Sequence, residues 1–190
     1  MTMFLNQTVR AKDPRMNRVY GHFEQNLADI IAAGRKAGAA VVLSTVAVNL
    51  KDCAPFASAP SPALTAADQA RWQDAYTRGG RAQGAGDFRT ALARYNEAAQ
   101  LDDNVAELHF RRADCLLANE KMTEAQQDYA RARDLDTLRF RCDSRMNDII
   151  RLSAEKHNVQ LADAEGAFAA NSTNGIPGAD FFYEHVHLTW

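Results

Sequence analysis

Cysteine is scarce and scattered, with single residues at positions 53, 115 and 142. An odd count without paired spacing argues against a disulfide framework and against a zinc site built on cysteine pairs. Single thiols packed like small apolar groups remain. No sign of charge dominates either: 22 Lys and Arg face 24 Asp and Glu, a net charge of −2. Without a polybasic surface to neutralise phosphates, nucleic acid is not expected as a partner. Lysine supplies only Lys12, Lys36, Lys51, Lys121 and Lys156, an arginine bias from which no function follows. No apolar run approaches the ~20 residues that cross a bilayer, so no membrane span is expected. The segment Met1–Arg15 lacks the apolar core and small-residue cleavage site of a secretory signal. The compartment is not written in these residues.

What is present is an ordinary globular composition, 46% hydrophobic and 24% charged over 190 residues, enough for a buried core. Asp13 followed by Pro14 is a helix start, the proline sitting where its missing N–H costs nothing. Met16, Val19, Tyr20, Phe23, Leu27, Ile30 and Ile31 then recur at three- and four-residue steps, with Gly34 and Gly38 bracketing the end. The run Ala39–Ala47 is nearly continuously apolar and rich in β-branched residues. That pattern predicts a strand of a parallel sheet covered by helices on both faces. Three prolines follow within Asn49–Pro62, which predicts a loop at the carboxyl end of the strand, the edge where open α/β sheets bind ligands. Met146, Ile149, Ile150 and Ser153, with Phe140 before them, mark a further helix ending near His157. Val159–Asp163 reads as a short strand, and residues 170–178 as a loop.

Between them the chain repeats itself. A shift of 34 residues lays Gly79 on Ala113, Phe88 on Met122, Ala91 on Ala125, Tyr95 on Tyr129 and Ala98 on Ala132. Leu101-Asp102 falls on Leu135-Asp136. Small residues where helices cross, with an aromatic four residues after the Ala, resemble the tetratricopeptide family. The resemblance implies two helical hairpins over 65–136, with Gly86-Asp87-Phe88 at a bend, and a peptide or protein partner as a possible ligand. Tyr95 and Tyr129 are then packing residues. Two repeats are fewer than the ~3 that stand alone, so they are expected to lean on the α/β part.

The chemistry-bearing constellation is Glu184-His185-Val186-His187. A carboxylate three residues before a histidine can orient the ring and stabilise its cation while the ring acts as a general base. Glu184, His185 and His187 also make a possible metal set, but alternation along an extended segment points neighbouring side chains apart, and His22, His109 and His157 fall on predicted helices. No metal and no cofactor is expected. Asn49 and Asp52 stand at the strand edge, as substrate contacts or as turn formers. Arg139, Arg141 and Arg145 read as a solvated helix start, and Asp163 as a cap.

The block Glu184-His185-Val186-His187-Leu188 resembles the last motif of SGNH (GDSL-type) hydrolases, Asp-x-x-His followed by Leu or Pro. The resemblance implies a partial flavodoxin-like α/β fold, a parallel sheet carrying the all-α helical insertion. It places α/β parts at 1–62 and 138–190, and the repeats at 65–136. It makes His187 the catalytic base and Glu184 its acid, in the place of the usual Asp. It implies an ester hydrolase acting on an ester-containing small molecule or an acylated polymer. The Gly-Asp-Ser nucleophile block and the Gly-x-Asn-Asp block do not occur, and neither does a G-x-S-x-G elbow. The expectation is therefore the carboxyl-terminal portion of such an enzyme, its nucleophile outside this chain and the chain alone inactive. The alternative is a repeat-type protein interaction module without catalytic activity.

Overall fold

The computed structural model describes residues 7–189 as seven α-helices and one two-stranded parallel sheet, a mostly helical α/β chain. The residues fall into two units. One comprises residues 50–139 with the described residues preceding Ala11; the other comprises Ala11–Asn49 and residues 140–189. Among the described residues no helix is long and apolar enough to cross a membrane.

In the second unit, α1 (Pro14–Lys36) is capped by Asp13, whose carboxylate accepts the Arg15 N–H at 2.9 Å. The chain turns through Gly38 (φ 74°) into β1 (Val42–Ser44). After the other unit come α6 (Ser144–Lys156), β2 (Gln160–Ala162) and α7 (Ala164–Asn171). β1 and β2 pair in parallel with Leu43 opposite Leu161. Ile31 of α1, Leu43 of β1, and Ile150 and Ala154 of α6 form the buried core. Tyr20 of α1 donates its hydroxyl to the Asp143 carboxylate at 2.5 Å, which itself caps α6. The expectation of a sheet covered on both faces does not hold among the described residues. Val42 is 53% exposed, Ser44 is exposed, and β2 is exposed throughout. Helix α6 packs on both strands, and two strands are too few to carry a second helical layer.

The other unit holds α2 (Ala66–Gly84), α3 (Phe88–Leu101), α4 (Ala106–Ala118) and α5 (Met122–Leu135), packed α2 on α3, α3 on α4 and α4 on α5. The 34-residue shift carries the bounds of α3 onto those of α5 and the end of α2 onto the end of α4. The small residues sit where helices meet: Ala91, Ala98, Ala113, Ala125 and Ala132 are all fully buried or nearly so. A Cβ at Gly79 would lie 2.6 Å from the Tyr95 ring, so that ring packs directly on the helix backbone. Tyr95 and Tyr129 donate to Gln83 and Asp114, both at 2.7 Å, one polar tether for each buried ring. Cys115 is fully buried in the same core, and desolvation pushes its thiol up to about 12.

The proline-rich segment groups with these helices, not with the α/β part to which its sequence position assigns it. The repeated Asp is the reason. Asp136 accepts the backbone N–H groups of Phe56 (2.8 Å), Ala57 (3.1 Å) and Leu138 (3.0 Å). Its counterpart Asp102 accepts those of Ser61 (2.6 Å) and Asn104 (3.0 Å). Ser58 accepts the N–H of Glu107 at 2.9 Å, capping an α4 that lacks a cap of its own. Buried carboxylates thus satisfy the donors of a segment that has no ladder of its own.

Asp136→Ala orphans three backbone donors beside a buried site. It should destabilise this unit by on the order of 3 kcal/mol in urea unfolding and open residues 54–62 to protease; an unchanged midpoint and cleavage pattern would show that the strap is held otherwise. The bends test the backbone separately. Gly86 turns with φ 78°, and its repeat counterpart Glu120 adopts φ 59°. Because a side chain is strained there, Glu120→Gly should raise stability by about 0.5–1 kcal/mol, read as a higher urea midpoint.

Candidate active site

The two residues assigned to the chemistry by sequence lie at the tip of a small hairpin in the second unit. Phe182 bridges Leu188 in antiparallel fashion, Tyr183 N–H donates to the His187 carbonyl at 2.8 Å, and Thr189 N–H to that of Phe181 at 2.8 Å. The hairpin is anchored by Phe182, buried and 5.6 Å (ring centres) from Phe168 of α7; Phe181 meets the same ring edge-on at 5.1 Å. Helix α7 was not visible as a helix in the sequence; Asp163 caps it, accepting from Gly166 N–H.

At the tip, Glu184 folds back onto its own chain. Its carboxylate accepts the backbone N–H groups of His185 (2.6 Å) and His187 (2.9 Å). Nδ1 of His185 meets one oxygen and Nδ1 of His187 the other. An ionised carboxylate can only accept, so Nδ1 is the donor in each ring, and a ring in its neutral form then has its lone pair on Nε2. The extra methylene of Glu over Asp supplies the reach for this curl. All four acceptor positions of the carboxylate are engaged. The His187 side chain is 78% exposed. His185 is more covered and stands edge-on to Phe140, with ring centres 6.4 Å apart. Burial, then the charge of Arg141 and that of His187, lower its pKa below the ordinary 6.5.

The same geometry accounts for the metal reading. The neighbouring side chains do not point apart as alternation along an extended segment predicts, since both rings turn onto the one carboxylate; among the described residues no group of three or more His, Cys, Asp or Glu that could hold a metal ion is found. The remaining histidines are elsewhere: His22 on α1, His157 at the end of α6, and His109 buried in α4 against Asp128 (3.0 Å) and Asp103 (3.1 Å).

Two residues that the sequence left in other roles reach this tip. Asn49, read as a turn former or substrate contact, is 2% exposed. Its N–H donates to the His185 carbonyl and its Nδ2 to the Glu184 carbonyl, both at 3.0 Å. Arg141, read as part of a solvated helix start, is buried and donates to the Asn49 carbonyl at 2.9 Å. Nothing local to either residue signals this, since the partners lie 135 and 92 positions away. No serine stands out as a nucleophile. The hydroxyls of Ser44 and Ser172 donate to the Thr45 and Phe168 carbonyls, those of Ser58 and Ser61 accept from Glu107 and Ala63, and Ser153 is buried.

Comparison of the chain with protein-family models, with curated proteins and with solved structures found no match in any of the three. The site therefore rests on its own geometry.

Phe182→Ala empties the aromatic anchor. It should cost unit stability of about 3 kcal/mol and make the hairpin cleavable by chymotrypsin after Tyr183 under native conditions. Retained resistance would place the anchor elsewhere.

Proposed function

We propose that this chain is the acid–base portion of an SGNH-type ester hydrolase. His187 is the general base and later the general acid, Glu184 orients it, and the nucleophilic serine and oxyanion donors lie outside these 190 residues. The observation that carries the reading is the His187 Nδ1 contact with Glu184 at a tip whose backbone N–H groups the same carboxylate fixes. With the proton held on Nδ1, Nε2 presents a lone pair on an exposed ring, the state in which imidazole takes a proton from a serine hydroxyl. Glu184 stabilises the imidazolium that results, and the ring returns the proton to the leaving alkoxide. The substrate class is a carboxylic ester, on a small molecule or on an acylated polymer. The partial flavodoxin-like sheet belongs to the same proposal, its β1 end carrying the site.

The reading makes a kinetic demand. The product of the natural coding region, including sequence on both sides of this segment, should hydrolyse a short-chain aryl ester and label a serine with a fluorophosphonate. His187→Ala and Glu184→Gln in it should each lower kcat/KM by about 10⁴-fold. The 190-residue chain by itself should do no better than free imidazole. Turnover by the isolated chain that vanishes in His187→Ala would overturn the placement of the nucleophile; a full product whose turnover ignores His187 would overturn the base. A tetratricopeptide-type interaction module is the second reading, favoured by the paired hairpins at a 34-residue period. It requires peptide capture that survives His187→Ala and no ester turnover in any form of the protein.

A further inference from the structure

We propose that Asn49 is the positioning residue of the Glu184–His187 pair, an inference that rests on the acid–base reading above. It acts through the backbone that carries the pair: the main-chain N–H holds the His185 carbonyl and the side-chain amide holds the carbonyl of the preceding residue, Glu184. Two consecutive carbonyls held by one residue fix both position and twist of the tip, where a single bond would leave a swivel. The Glu184 contacts to His185 and His187 are all within three residues, so they fix the tip's internal shape but not its place. The aromatic anchor acts at Phe182, at the base of the hairpin. Asn49 ties the tip to the chain that leaves the end of the sheet.

The chain leading to Asn49 is itself held. Thr45 donates its hydroxyl to Asp163 (2.8 Å) and accepts from Glu165 N–H (2.9 Å). Asn147, fully buried on α6, accepts from Val46 N–H (2.8 Å) and donates to Val46 C=O (3.0 Å), a side-chain amide standing in for a neighbouring strand. Arg141 then holds the Asn49 carbonyl. Asparagine is the residue type this position demands. Asp would turn an acceptor toward the Glu184 carbonyl, Ala would drop the second tether, and Gln would overreach by a methylene. Since misplacing a base by ~1 Å costs about 10²-fold in rate, a tether at this point is a catalytic requirement of the proposed reaction.

The test uses the 190-residue chain and needs no turnover. Long-range ¹H–¹⁵N correlation spectra report which ring nitrogen of His187 carries the proton, and amide exchange reports the tip. In the wild type His187 should be protonated on Nδ1. In Asn49→Ala and in Asn49→Asp the ring should become a mixture of tautomers and the His187 amide should exchange about tenfold faster. Methyl signals of Ile31, Leu43 and Ile150 should stay in place. Variants that keep the Nδ1-protonated ring overturn the positioning role. Variants in which the core methyls also collapse overturn it too, because Asn49 is then a folding residue. A wild type whose His187 carries its proton on Nε2 removes the acid–base reading itself, a failure distinct from the other two.

Discussion

Everything proposed for the α/β unit depends on one short stretch of extended chain, Thr45–Asn49, continuing past the end of β1. A two-stranded sheet has only one partner strand to offer it, and Thr45 N–H takes that bond, to the Ala162 carbonyl at 3.1 Å. Beyond that point a solvated loop would be the default, yet Thr45, Val48 and Asn49 are buried. Buried backbone must be paired. Side chains from two places pair that backbone, Asn147 on α6 with Val46 and Arg141 ahead of α6 with Asn49, while Asp163 between β2 and α7 takes the Thr45 hydroxyl. The last residue of this stretch, Asn49, holds the hairpin tip with two donors. Asn49 thus ties the Glu184–His187 tip to the chain leaving the sheet through its N–H and its side-chain amide, with local curling of Glu184 setting the ring orientation.

The repeat unit solves a similar problem by different means. Its helices need small residues at their crossings, and the alanines that repeat at 34 residues are those residues. Its connection to the preceding strand is a proline-rich segment with no ladder. The Asp that ends each repeat takes up the donors of that segment, and Ser58 caps α4 in return. A residue that looks like repeat decoration is the buckle of a strap, which is why the segment belongs structurally with the helices.

The parts legible in sequence are those written in local spacing. Asp13-Pro14 and the apolar stripe behind it set α1, the 34-residue period marked 65–136 as helical with a bend at Gly86, and Glu184-x-x-His187 placed a carboxylate within reach of a ring. Illegible were contacts joining distant residues through generic types. Asn49 looks like a turn former because asparagine usually is one; its burial follows only once Glu184, 135 residues on, has folded against it. Arg141 sits in an arginine-rich stretch that reads as solvated, and the carbonyl that draws it inward is 92 positions away. Helix α7 is short, with a glycine inside and no buried residue, so no periodicity announces it. The sheet was overestimated for the opposite reason: a nearly continuous apolar run predicts burial on both sides, and one helical layer covers only one.

Native-state amide exchange at Thr45, Val46 and Asn49 tests the central claim most directly, that the arm past β1 is part of the core framework. The account predicts that these three amides open with the same free energy as Ile150 in α6, so that arm and core unfold together. Exchange at the rate of an unstructured loop, with Ile150 still protected, would contradict it.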